Sequence, residues 1–520
     1  MRTHRRYCEN PVRTFYYDAT SGSDTNTGQA DRPLQTMADL SARAIRPGER
    51  VLLKRGCEWY EQIVIPTSGK SGRPITFADY SSGALPKLNG STLMTGWTNE
   101  SGNIYKVNKT QTDHARLGVW EDGVRLARMT SLGAVIAAGQ YYFSGTVLYV
   151  WCTDNADPST HVMEFTKLGF YPVETNGKNY LTFKNIESTK GSGSSFNVRT
   201  ILQHDVFFTG CVASWSNMRG FDLGMTTGQT DKKYNIFVTD CIAHDCLGEG
   251  FWVGNALNCG MTYSTLYNNR KDVVASKGYT TFPDVAGAII GQGTTDCYVK
   301  WCSLRAEGYG ASVNRAVLMC ENEVGGIRPV GCVFDGNTCV DEGGSCYDEG
   351  DGTIIRNNVM IGRYYNASVI YCTDGSTNTL IYNNTIINTR TGSGGIYIGS
   401  TAGTNHTIKN NLIRNVDTGY GIWLDSWDGV VIDHNHIFDD TAFKCRYNST
   451  NYTSAGTWEA ATGATNTTVG DSLFVNYATE DLHLSVGSPC IGAGVNGLVT
   501  YDKDLIIRGA ATDIGAYEYV

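Results

Sequence analysis

The chain has 520 residues, 60 of them Gly and only 18 % charged, with 51 acidic against 42 basic side chains and a formal net charge of −9. Glycine above the usual ~7 % and charge below the usual ~25 % exclude a helical bundle or coiled coil and suit a turn-rich β protein. An apolar share of 41 % excludes global disorder, the acidic balance excludes a general electrostatic grip on nucleic acid, and no apolar run reaches the ~18 residues of a membrane helix.

The chain opens MRTHRRYCENPVRTFYY, a basic start without the apolar stretch and cleavage site of a signal peptide. Residues 1–14 read as an arm. Residues 15–96 read as a strand, a Gly/Asp/Asn loop and a short amphipathic helix. Leu34, Met37 and Leu40 form the buried side of that helix, with Pro33 in its first turn. Residues 97–165 break the later pattern; WTNESGNIYKV, VWEDGVRLARM and TVLYVWCTDNADPSTHVMEF predict a small insertion of antiparallel strands with tight turns.

From residue 166 to 440 a repeat governs the chain. GTIIRNNVMIG, NTLIYNNTIIN, NHTIKNNLIRN and GVVIDHNHIFD place Asn358, Asn384, Asn411 and Asn435 at one position. Upstream the same frame holds Ile186, Cys211, Cys241, Ser264, Cys302 and Cys332 there, with steps from 23 residues (Cys241 to Ser264) to 38 (Ser264 to Cys302). Variable length under a fixed pattern is the mark of a solenoid with loop insertions. Short stretches such as GFWVGN, GIYIGS and GIWLDS alternate with period 2, so the repeats are strands. Strands stacked at roughly 4.8 Å align like residues into ladders. Asn ladders hydrogen-bond along the stack and Cys ladders pack small thiols inward. The 16 Cys, without an export signal, read as buried reduced thiols. Residues 441–520 supply the last rungs and a closing segment.

On these repeats, the entry segment and the closing LHLSVGSPCIGAGVNGLVTYDKDLIIRGAATDIGAYEYV, the chain resembles the right-handed parallel β-helix proteins of the pectate-lyase-like superfamily. The resemblance implies an all-β, single-stranded solenoid with an N-terminal helix cap. It also implies a groove along one sheet that takes an extended polysaccharide. The superfamily includes polysaccharide-degrading enzymes and phage tailspike-like proteins, so a homotrimer and virion partners are among the assemblies it implies, alongside a monomeric enzyme. The setting would be extracellular or virion-associated.

The residues offer their own candidates. Trp252 in FWV, Tyr397 in IYI, Trp423 in IWL and Tyr347 between Cys346 and Asp348 point outward by alternation. They form either a sugar platform or scattered surface aromatics. Counting back from the ladder aligns Glu323 with Glu349, and Asp348 with Asp374 and Asp425, beside Glu321. Carboxylates repeated at rung spacing suit a general acid paired with a base or nucleophile, or can hold Ca²⁺, or form a plain solvated turn face. His244 and Asp245, in AHDCLGEGFW, offer a base near neutral pH with an orienting partner. The loop NNRKDVVASKGYTTFPD carries Arg270 and Lys271, which could neutralise a uronate carboxylate in a lyase or simply be solvated. The polygalacturonase-type carboxylate set and a complete pectate-lyase pattern are absent, and no zinc motif with credible CxxC pairing appears. The expectation is therefore a polysaccharide-cleaving enzyme, hydrolase before lyase, with a glycan-binding or structural spike as its rival.

Overall fold

The computed structural model describes residues 12–112, 116–200, 202–224, 231–269, 287–306, 316–322, 326–341, 344–362, 368–389, 393–415, 419–425, 427–440 and 443–520. Glu323, Arg270 and Lys271 lie outside the described residues, as does most of the 1–14 arm.

Each turn of the chain lays down three short strands. Leu380–Tyr382, Thr385–Asn388 and Gly394–Ile398 make one turn, and Thr407–Lys409 then returns to pair in parallel with Leu380–Tyr382. Repeated, this builds three long sheets. The first runs from Thr14–Tyr17 to Val431–Asp433, the second from Glu58–Trp59 to Thr468–Val469, and the third from Ile63–Val64 to Thr450–Tyr452. The chain is a right-handed parallel β-helix. Its core is the column of inward side chains, where like stacks on like: Phe77, Phe183 and Phe208 follow one another at 5.1 and 5.0 Å between ring centroids.

The corner between the first and second sheets explains the Asn-Asn pairs. The first Asn bends the chain in the left-handed region, with φ of 53° at Asn357, 51° at Asn383 and 55° at Asn410, a conformation Asn tolerates better than most side chains. Gly336 does the same at φ 67°. The second Asn turns inward and serves the preceding rung. Asn384 Oδ1 accepts the backbone N–H of Asn358 at 3.0 Å, and Asn411 Oδ1 that of Asn384 at 3.1 Å. Cysteine and serine do the same job upstream: Cys241 Sγ accepts from Cys211 N at 3.4 Å and Ser264 Oγ from Cys241 N at 3.1 Å.

The structure corrects one ladder position. Cys302 N donates to Asn337 Oδ1 and Asn337 N to Asn358 Oδ1, so Asn337, not Cys332, belongs there. Cys332 stands at the opposite end of its strand, in a second column with Cys259 and Cys297 just before the first sheet. The fifteen cysteines among the described residues are all buried, and none is joined in a disulfide.

At the N-terminal end the helix is Met37–Ala42, capped by the Thr36 side chain, with Met37 and Leu40 buried. Pro33 and Leu34 precede it. Leu34 is buried as a bridge partner of Tyr17, not as a helix residue.

The insertion begins at Ser91–Leu93 and returns at Met163–Thr166, forming a four-stranded and a five-stranded sheet. Its pairings are antiparallel except Ala127–Arg128 with Gln140–Tyr141. It docks on the rungs of the β-helix through Arg125, whose Nη2 donates to the Trp215 carbonyl and Asn217 Oδ1, both at 2.8 Å. At the far end the helix Ala455–Thr462 packs a fully buried Trp458 against the core. The last forty residues do not close that end. They fold back along the side, where Arg508 Nη2 reaches Asn357 Oδ1 at 3.2 Å and Ala516 N donates to Thr385 Oγ1 at 2.9 Å.

Candidate functional site

Alternation along the third sheet turns one residue per rung outward. Register places Asp222, Trp252, Ile289, Met319, Tyr347, Tyr371, Tyr397, Trp423 and Arg446 in a single column. Trp252, Ile289 and Met319 form a buried apolar cluster against Tyr347. From Tyr347 onward the column is half-exposed.

Trp252 is thus on the expected face but not at the surface: it is 5 % exposed, and the Arg219 guanidinium lies 3.9 Å over its ring. Arg219 Nε also donates to Glu249 at 2.6 Å, and Nη1 lies 3.6 Å from the buried Asp222. This end of the column is a closed ion-paired cluster.

The exposed stretch has its own geometry. Successive centroids are 5.2, 4.8 and 4.9 Å apart from Tyr347 through Tyr371 and Tyr397 to Trp423, with interplanar angles of 13°, 41° and 59°. Tyr347 and Tyr371 are stacked on each other, so they offer edges and hydroxyls outward more than ring faces. The tilt grows toward Trp423, where Arg446 packs at 4.4 Å. Tyr371 escapes the sequence reading, although Ile370-Tyr371-Cys372 alternates as its neighbours do.

Carboxylates line the edge where the third sheet leaves for the first. Cys320 pairs with Asp348, so the next residues out, Glu321 and Glu349, occupy neighbouring rungs at the same position, and Asp425 follows Leu424 at the like place two rungs beyond Cys372. Glu349 is buried and its Oε2 accepts Asn322 N at 2.6 Å; Glu321 is half-exposed. The Tyr347 hydroxyl donates to Asp374 at 3.1 Å, and that of Tyr397 to Asp425 at 2.7 Å; Trp423 Nε1 also donates to Asp425, at 2.8 Å. Burial, then Glu349 and Asp374, pushes the Tyr347 phenol well above its ordinary value. Burial, then the bond to Asp425, does the same to Tyr397. Both phenols are therefore protonated at neutral pH and serve as hydrogen-bond donors to those carboxylates.

Two expected members are elsewhere. Asp348 is fully buried and points into the core, where it accepts from Thr379 Oγ1 at 2.7 Å and Gly350 N at 3.0 Å. The alternation that turns Tyr347 out turns Asp348 in. His244 and Asp245 are paired at 2.6 Å, but His244 stands on the outer face of the second sheet, stacked on Tyr267 at 4.9 Å. They share no face with the aromatic column.

No protein-family model matches the chain. YwoF of Bacillus subtilis (strain 168), itself described only as uncharacterized, is 35 % identical over 66 residues, 13 % of this chain; the match spans 14 % of that protein's length. Among solved structures, the complex of XylC with xylose aligns over 98 % of both chains at 13 % identity with a TM-score of 0.64. Pectate lyase Pel9A aligns over 98 % of this chain and 96 % of its own at 14 % identity, with a TM-score of 0.46. The full-length likeness to XylC is one of fold, and the fold is a right-handed parallel β-helix.

Proposed function

We propose that the chain is a carbohydrate-active protein that lays an extended polysaccharide along the third sheet from Tyr347 to Arg446 and cleaves it by hydrolysis. One observation carries this reading: a half-exposed column of Tyr347, Tyr371, Tyr397 and Trp423 runs beside a row of carboxyl groups at Glu321, Glu349, Asp374 and Asp425. Hydroxyls and carboxylates bind sugar hydroxyls, and the tilted rings at Tyr397 and Trp423 offer apolar faces to a pyranose. Glu321 and Glu349 are the carboxyl pair assigned to chemistry. Neighbouring rungs stand roughly 4.8 Å apart, within reach of the ~5 Å separation of a retaining pair, and side-chain spread reaches the ~6.5–9.5 Å of an inverting pair. The Tyr347 and Tyr397 hydroxyls are engaged with Asp374 and Asp425, which favours the carboxyl pair over a tyrosine as the reacting group. The full-length likeness to XylC, solved with xylose bound, supports a sugar ligand. A polymer of this kind places the work outside the cell or on a virion surface.

A rival reading, glycan binding without cleavage, is favoured by one fact: Asp374 and Asp425 each accept a phenol from the column, which suits a rigid binding surface. One experiment separates the two. The protein is incubated with neutral and uronate-containing polysaccharides, with and without Ca²⁺, since the same carboxylates offer oxygen ligands. Reducing ends and absorbance from unsaturated products are followed. Reducing ends alone, lost by about 100-fold or more in Glu349→Gln with binding retained, and binding weakened about tenfold in Trp423→Ala, are expected. Unsaturated products would mean elimination; binding without either signal would establish the rival; no binding to any glycan would end both readings.

A further inference from the structure

The insertion carries a cluster unrelated to the aromatic column. Glu121 ends the strand Val119–Glu121, Cys152 follows the strand Val147–Trp151, and His161 immediately precedes the return toward Met163–Thr166. Three separate segments of the insertion thus bring a carboxylate oxygen, a thiol sulfur and an imidazole nitrogen within 4.8 Å of one another. Cys152 is fully buried, and its thiol has no hydrogen-bond partner among the described residues. Glu121 is 3 % exposed.

The imidazole is already oriented. Its Nδ1 lies 2.8 Å from Asp122 Oδ2, which leaves Nε2 directed at the cluster. Nε2 is 3.3 Å from Asp154 Oδ1 and 3.6 Å from Glu121 Oε1. Bonds of roughly 2.0–2.3 Å in a tetrahedron put neighbouring donors roughly 3.3–3.8 Å apart, so the His161–Glu121 separation already matches a tetrahedral edge. A carboxylate on the far nitrogen of the imidazole is the usual device that fixes the tautomer of a metal-bound histidine. Among the described residues His161 is also the sole ion-pair partner of Glu121, Asp122 and Asp154, which leaves excess negative charge at the cluster.

We propose that Glu121, Cys152 and His161 form a three-ligand zinc-binding site, with Asp122 as the residue that positions His161. A mixed sulfur, nitrogen and oxygen set favours Zn²⁺ over Ca²⁺ or Mg²⁺. Binding displaces the Cys152 thiol proton to solvent. The ion ties the end of Val147–Trp151 to Val119–Glu121 and to the turn before Met163. It therefore staples two small sheets that have only a modest core of their own.

The test uses the full chain, treated with a chelator under reducing conditions and titrated with Co²⁺ as an optical probe. One Co²⁺ per chain is expected, with the visible bands of a tetrahedral ion and a near-ultraviolet thiolate charge-transfer band, both abolished by Zn²⁺. Cys152→Ser removes the charge-transfer band while far-ultraviolet circular dichroism stays unchanged. Asp122→Asn, at an exposed carboxylate, weakens binding by about 10–100-fold. The proposal is overturned if no charge-transfer band forms, if the band survives in Cys152→Ser and so belongs to another thiol, or if Asp122→Asn binds as tightly as the parent.

Discussion

Replacing Asn384 by alanine tests what the inward ladder contributes. Its Oδ1 accepts both the backbone N–H and Nδ2 of Asn358 at 3.0 Å, and its Nδ2 donates to the Ile355 carbonyl at 2.8 Å and Asn411 Oδ1 at 2.9 Å. After substitution Asn358 Nδ2 still has the Phe334 carbonyl, and Asn411 Oδ1 still has Asn384 N. The backbone N–H of Asn358, in a fully buried residue, loses its acceptor outright. That orphan costs about 1–3 kcal/mol, and the three other lost bonds about 0.5–1.5 kcal/mol each, for a total of roughly 2.5–7.5 kcal/mol. Asn384→Ser should recover part of this. Ser264 already reaches the preceding N–H at 3.1 Å while donating to the Thr262 carbonyl at 2.8 Å. The serine variant is therefore expected to be more stable than the alanine variant by about 1–3 kcal/mol. Urea titrations followed by circular dichroism and tryptophan fluorescence measure the difference. Equal midpoints for the two variants would refute the claim that the ladder acts by capturing the neighbouring rung's N–H.

Two further outcomes are expected. Arg508 is buried and holds the returning C-terminal segment through Glu518 at 3.0 Å, Asn357 and the carbonyls of Asp513 and Gly515; Arg508→Met should loosen that segment by about 3–5 kcal/mol. Limited proteolysis should then cut within residues 485–520 while the rungs stay resistant, and an unchanged digestion pattern would contradict the anchor. Burial holds the His436 imidazole down at about 4, with its two nitrogens bonded to Thr468 Oγ1 and the Gly470 carbonyl. The unfolded chain binds that proton near ~6.5, so this contribution is whole above ~6.5 and is lost as pH falls toward the folded value, amounting to about 3 kcal/mol. His483 and His161 are shifted upward and act in the opposite sense, so the comparison is with His436→Gln, whose urea midpoint should fall less between pH 7 and pH 4.5.

The architecture was legible because its signals are local. Period-2 stretches recur along the rungs, and Asn at a fixed place after an Asn suited to the left-handed bend recurs at Asn357-Asn358, Asn383-Asn384 and Asn410-Asn411; both are consequences of backbone geometry. Tyr347, Tyr397 and Trp423 follow from alternation alone, and their common column is where register puts them. The same rule, applied strictly, sends Asp348 inward, and counting back from the ladder obscured it.

Other features needed the folded chain. Cysteines stand at both ends of the first-sheet strands, five residues apart at Cys297 and Cys302, and a local pattern cannot tell one corner from the other. Hydrogen bonds to the next rung can. His244 and Trp252 are near in sequence, yet a corner separates their faces. Arg219 over Trp252, the return of Arg508 to Asn357 and the meeting of Glu121, Cys152 and His161 join residues separated by loops of unequal length. The sequence by itself determined the rung, because a strand and its corner are specified by neighbours along the chain. Tertiary structure alone decided which rungs carry charge beside aromatic surface and which are sealed, because that depends on how far each loop carries the chain before the next strand stacks.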